Sequence, residues 1–148
     1  MSLRLDTPHA RVSDVPITVA EFAGRRCASS GSPWEPIVGY SRAVRTGSWI
    51  VVSGTVGLNA DRSYPPTLAE QTRQALAIIR GAIEALGGSL THVVRTRMFI
   101  IDITKAAEAT AVHGEFFRDI RPASTLVEVS RLINDQALIE IEADAIVP

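Results

Sequence analysis

Three carboxylates recur at every second position near the C-terminus: Glu140, Glu142 and Asp144. On an extended strand this spacing puts all three on one face. A carboxylate in a dry cleft can act as a general base or position a water for attack. The same row would also suit a solvated strand face, or pairing with Arg95, Arg97 or Arg131. The other reactive side chains form no constellation. His9, His92 and His113 show no HxH, HExxH or His-x3-His spacing, so no metal site is expected. Cys27 is the only cysteine, which excludes an internal disulfide and every multi-cysteine zinc centre. It has no nucleophile motif around it and reads as a structural thiol. Ser53-Gly54 lacks the Gly-x-Ser-x-Gly of a nucleophile elbow. Gly54-x-x-Gly57 lacks the Lys and Ser/Thr of a phosphate loop. Both glycines instead suggest a bulge, or a place where backbone comes near another group.

The basic residues narrow the chemistry further. Of 15 Lys and Arg in the 148 residues, Lys105 is the only lysine. A Schiff-base enzyme needs a lysine amine, and Lys105 sits in a polar stretch that looks like a helix start. A net charge of −1 gives no footprint for nucleic acid. No run approaches 18 apolar residues, so no membrane span is expected. The first ten residues have no apolar core of a signal peptide, and the chain reads as cytoplasmic with a reduced thiol.

These residues need elements to position them. Val15, Ile17 and Val19 alternate, which suits a short edge strand. Ser29 to Pro36 is a loop by its Ser, Gly and Pro content, with Trp34 as a packed anchor. Tyr40–Val44 and Trp49–Ser53 read as strands around a hairpin turn at Thr46-Gly47-Ser48. Thr67-Leu68-Ala69-Glu70 is a capping box, and Leu68, Ala75, Leu76, Ile79, Ile83 and Leu86 form the apolar stripe of a helix. Gly87-Gly88 stops it. His92–Ile101 is a strand with Val94, Thr96, Met98 and Ile100 on one face and Arg95, Arg97 and Phe99 on the other. A second helix runs from Ala106 to Arg118, and Pro122 prevents its continuation. Strands at Thr125–Leu132 and Ala137–Val147 follow. The order β-β-α-β-α-β-β implies an α+β fold, a mixed β-sheet backed by two helices. The helix-free face carries Glu140, Glu142, Asp144, Arg95 and Arg97 and suits a homo-oligomer interface.

Several segments, in order, resemble the RidA (YjgF) family of small trimeric enamine/imine deaminases. They are Gly39-Tyr40-Ser41-Arg42-Ala43-Val44, Val52-Ser53-Gly54, Ala85-Leu86-Gly87-Gly88-Ser89, Val94-Arg95-Thr96, Glu115-Phe116-Phe117, Pro122-Ala123-Ser124-Thr125-Leu126-Val127-Glu128-Val129 and Ile139-Glu140-Ile141-Glu142-Ala143. The resemblance covers about residues 36 to 147. Residues 36–148 would then be the RidA-like domain, and residues 1–35 an N-terminal extension and loop. The resemblance implies a chorismate-mutase-like fold, a homotrimer around a central barrel, and clefts between subunits. It implies hydrolysis of reactive enamines or imines, such as 2-aminoacrylate, to a 2-keto acid and ammonia, with no metal or organic cofactor. Glu140 matches the glutamate that positions or activates water. Tyr40 and Ser53-Gly54 match residues lining the cleft. Ser124 and Leu126 lie in the signature stretch and are expected to touch substrate.

The signature also departs from the family. Ser124 stands where the deaminases have an arginine that binds the substrate carboxylate through a bidentate fork. A serine supplies no charge, a loss on the order of 1.5–3 kcal/mol. Arg97 and Arg42 are the candidate replacements, and Trp34 is expected to border the cleft. The leading expectation is a RidA-like imine/enamine hydrolase with an altered substrate. A non-catalytic trimeric protein that senses a metabolite is the alternative. Ribonuclease or translation inhibition is a third, which the charge balance disfavours.

Overall fold

The computed structural model describes residues 12–148, so the expectations for the first ten residues and for His9 lie outside the described residues. Seven strands form one sheet: β1 (Thr18–Phe22), β2 (Arg25–Ser29), β3 (Ala43–Thr46), β4 (Trp49–Val56), β5 (Val93–Ile100), β6 (Ala123–Glu128) and β7 (Ile139–Ile146). Two helices, α1 (Leu68–Ala85) and α2 (Ala106–Phe117), complete the α+β fold. The strand order is β1-β2-β3-β4-β7-β5-β6. Neighbours are antiparallel except β5 and β6, which run parallel and are joined through α2.

The hydrophobic periods explain the layers. Ile139, Ile141, Ala143 and Ala145 alternate toward the helices and are fully buried. They meet Leu76, Ile79, Ile83 and Leu86 from the stripe of α1. Glu140, Glu142 and Asp144 face the other way, onto the open side of the sheet. Helix α1 begins with the expected capping box: Thr67 Oγ1 accepts from the Glu70 amide at 3.2 Å, and Glu70 accepts from the Thr67 amide at 3.2 Å. It ends at Gly87, whose φ of +84° favours glycine. Arg45 Nη1 then donates to the Leu86 carbonyl at 2.8 Å, and Arg26 Nη2 to the Ala85 carbonyl at 3.3 Å. These two cations sit where the helix dipole is negative.

Several features differ from the sequence pattern: β3 begins at Ala43 rather than Tyr40, and β6 ends at Glu128 rather than Leu132. Two differences are larger. The sheet has two more strands than the predicted order, because β1 and β2 form a hairpin within residues 1–35. Strand β2 pairs with β3 from Arg26↔Arg45 to Ala28↔Ala43, and Ala28 is in the core. The short alternation of Val15, Ile17 and Val19 showed only part of this hairpin. The second difference is in β5. Val94, predicted on the core face, is 41% exposed, while Val93 is buried. The ladder to β7 slips between Val93 and Arg95, so a bulge moves Val94 outward and restores the alternation afterwards.

Gln71, fully buried on α1, ties the lead into β7 to the helix. It donates to the carbonyls of Pro65 and Gln136 at 3.0 and 2.9 Å and accepts from the Leu138 amide at 2.8 Å. A bare Gly57 lets β4 pass over it, since a Cβ there would lie 2.1 Å from the Gln71 carbonyl oxygen. This packing fixes the backbone two residues before Glu140.

Candidate active site

Glu140 owes its surroundings to an irregularity in the neighbouring strand. Between β4 and β7 the register runs Val52↔Ala143, then Thr55↔Ile141, leaving one extra residue at Ser53-Gly54. Both Val52 and Thr55 can thereby stay buried. Gly54 passes so close to Glu140 that a Cβ would lie 2.1 Å from its Oε1. The paired glycines that suggested a bulge or a close approach therefore do both.

The carboxyl of Glu140 accepts no hydrogen bond from any described residue, although about half of it is withdrawn from solvent. Burial raises its pKa above the ordinary carboxylate value. The charge of Arg42 opposes that rise, and Glu142 adds to it. Tyr64 lies within range of the same charge, and its pKa is raised first by burial. An unbonded carboxylate of raised basicity is suited to take a proton from a water or hold that water in place.

Arg42 is 7% exposed. Its Nη1 donates to the Gly54 carbonyl at 2.6 Å and to Thr55 Oγ1 at 3.0 Å. Its Nη2 donates to the Tyr40 hydroxyl at 3.2 Å, and its Nε to Ser30 Oγ at 3.3 Å. Ser30 in turn donates to Glu35 at 3.0 Å, and Glu35 also bonds the Ser29 hydroxyl and the Ser30 amide. The loop after β2 is thus wired through Ser30 to Arg42. Trp34, expected to be a packed anchor of that loop, is instead 58% exposed, and Ile37 and Val38 are exposed beside it.

Other expected residues are separated from this group. Arg97 donates to Glu142 at 3.2 Å and to Asp144 at 3.3 Å, the pairing that the acid row allowed. Ser53 donates its hydroxyl to the Ser41 carbonyl at 2.6 Å, a brace for the bulge. Ser124 and Leu126 pair with Thr96 and Met98 in the parallel ladder and so share the helix-side face, opposite Glu140. Ser124 Oγ accepts from Thr96 Oγ1 at 2.9 Å, and Thr96 meets His113 Nε2 at 2.9 Å. Burial pulls the His113 pKa down, toward the neutral imidazole. Within one chain, Tyr40, Arg42, Gly54 and Glu140 come together, and Ser124 and Leu126 do not join them. Two hollows of the chain lie elsewhere, beside Val12 along α1, and neither includes Glu140. Among the described residues, no group of three His, Cys, Asp or Glu is arranged to hold a metal ion.

Thr55, Tyr64, Ser30 and Glu35 were not anticipated. Glu35 left a signal, as the only charged residue between Arg26 and Arg42. Tyr64 left none, since Tyr-Pro-Pro reads only as a turn.

The family model described as Endoribonuclease L-PSP matches residues 31–147. The chain belongs to the YjgF/RidA family. A solved member from Mycobacterium tuberculosis, Rv2704, is similar in structure with a TM-score of 0.77. It is 46% identical, and the match covers 83% of this chain and 99% of that one. A RutC family protein of Pyrococcus horikoshii is 35% identical over 75% of this chain and 89% of its own. The 2-iminobutanoate/2-iminopropanoate deaminase of Escherichia coli is 34% identical over 72% of this chain and 86% of its own. The mixed sheet with two helices is the fold these neighbours share. No described helix is long and apolar enough to cross a membrane.

Proposed function

We propose that this YjgF/RidA protein is a cytoplasmic, cofactor-independent hydrolase of a reactive imine or enamine, releasing a carbonyl compound and ammonia. The observation that carries the reading is Glu140: half-buried, raised in pKa, and unbonded while its two neighbours on β7 are held by Arg97. Glu140 takes a proton from water as the water oxygen attacks the C=N carbon. That proton passes to the nitrogen to complete the carbinolamine; Glu140 then takes the hydroxyl proton and returns it to the nitrogen, which leaves as ammonia as the carbonyl forms. The Escherichia coli relative that carries a deaminase name supports the reaction class.

The active assembly in this reading is a homotrimer. Glu140 lies on an open sheet face, and Ser124 and Leu126 lie on the other face at the edge strand β6. A neighbouring subunit that brings its β6 edge against this face would join the two sets in one cleft. Trp34 would border that cleft. The exposed Trp49, Val51 and Val127 of the open face are apolar surface suited to subunit contact.

A second reading, a non-catalytic sensor with the same clefts, is favoured by Ser124, which supplies no charge. Turnover separates the two. The imine is generated in the cuvette from serine or threonine by a dehydratase. Faster release of ammonia and keto acid on adding the protein is expected. An unchanged rate, with retained binding of keto acids, would leave the sensor.

A further inference from the structure

We infer that Arg42 is the anchor for a carboxylate on the ligand of this site. The inference rests on the imine-hydrolase reading for the chemistry it serves, but not for the binding itself. A guanidinium has five N–H donors. Arg42 spends four of them, on Ser30, the Gly54 carbonyl, Thr55 and Tyr40, and every one of these acceptors is neutral. Among the described residues, no carboxylate comes within ion-pair distance of it. A cation taken out of water in this way gains little compensating charge from its immediate partners. Glu35 lies one hydroxyl away through Ser30, and Glu140 is near enough for the Arg42 charge to act on it.

The remaining donors define the shape of an anion that would fit here. One N–H of Nη2 is left, on the nitrogen that already meets the Tyr40 hydroxyl. That hydroxyl accepts from Arg42, so its own proton is free to donate. An Nη2–H and a phenol O–H, with their heavy atoms 3.2 Å apart, form a two-point donor for the two oxygens of one carboxylate. Tyr40 is only half-buried. The ring also lies under the cation, with Cζ 5.4 Å from its centroid, which fixes the relative placement. Glu140 flanks the same Gly54 peptide that Arg42 holds by its carbonyl. A small 2-imino acid seated here would have its acid group on Arg42 and Tyr40 and its C=N carbon toward Glu140.

Arg97 does not fit this role. Its Nη1 already bonds two carboxylates, so the charge that would attract a ligand carboxylate there is largely offset. Ser124 lies on the other face of its own chain, bonded to Thr96.

Binding of a matched pair, pyruvate and its neutral amide, tests the assignment without requiring turnover. Titration calorimetry on the full-length protein should show pyruvate bound at least about tenfold more tightly than pyruvamide. Arg42→Met should abolish that preference, lowering pyruvate affinity more than pyruvamide affinity. Arg42→Lys, which keeps charge without the fork, should retain part of it and guards against a folding defect in the Met variant. Arg80→Met, an exposed arginine on the far side of the sheet, should leave it intact. Equal binding of acid and amide by the wild type would overturn the assignment, as would a preference that survives in folded Arg42→Met. A preference that depends on Arg42 in a protein without imine turnover would keep the anchor and reject the hydrolase.

Discussion

On the open face of the sheet, Arg97 lies between Glu142 and Asp144, whereas Arg42 lies beside Glu140 without pairing to it. Both clusters combine an arginine with acids of the same strand. Their environments differ. Arg97 and its partners are partly exposed and bonded directly to one another, an arrangement worth little energy in which the charges offset each other. Arg42 is buried, bonded to neutral oxygens, and held apart from an acid that bonds to nothing in the described chain. Satisfied charges brace a surface; charges kept close but unsatisfied are available to a ligand. The bulge at Ser53-Gly54 makes the difference, because it inserts a carbonyl for Arg42 and a bare Cα for Glu140 at one point.

Adding one methyl group at that point should break the contrast. In Gly54→Ala the new Cβ collides with the far end of a flexible side chain, so Glu140 can swing away at little cost to the fold. Turnover should fall by roughly 10- to 100-fold, as expected for a misplaced reacting group. Stability should change by less than about 1 kcal/mol. Steady-state rates and thermal melts on the same preparation check both parts. A large loss of stability with normal turnover would place Glu140 outside the chemistry.

The pH profile sharpens the same contrast. Burial raises the pKa of Glu140, and Arg42 holds that rise in check. Removing the cation therefore raises it further. In Arg42→Met the acid limb of kcat/KM should move to higher pH, because the carboxylate must be ionised to act as base. Arg97→Met should leave the limb in place. Equal movement in both variants would show that Glu140 responds to the general charge of the face rather than to Arg42.

The smallest effect should come from the satisfied cluster. Arg97→Met breaks two partly exposed ion pairs and should cost about 0–1 kcal/mol in denaturant unfolding. A cost above about 2 kcal/mol would mean that this cluster is buried in the working assembly.

Much of this was legible in the residues. The alternation of Ile139, Ile141, Ala143 and Ala145 with the acids fixed the inner and outer faces of β7, and the helix α1 announced itself through its cap, stripe and glycine stop. Glu140, Tyr40 and Gly54 were named from the family segments, and they do lie together. What could not be read were contacts made across long sequence distances. Nothing in Ser30 or Glu35 alone says that they hold Arg42, because that requires the β2–β3 pairing. The bulge at Val94 was hidden for a related reason. Val93 and Val94 are both apolar, so the pattern does not say which one faces inward. Arg42 and Arg97 were equal candidates in sequence, and only their partners separate them.

In the proposed mechanism the three acids of β7 differ in kind: Glu140 acts on water, while Glu142 and Asp144 are braced by Arg97. Glu140→Gln, Glu142→Gln and Asp144→Asn, measured side by side for imine hydrolysis and for assembled mass, test it directly. Glu140→Gln is predicted to lose roughly 100-fold or more in kcat, the contribution of a general base, while its mass is unchanged. The other two should stay within about threefold of the wild type. Retained turnover in Glu140→Gln, or an equal loss in all three variants, would contradict the account.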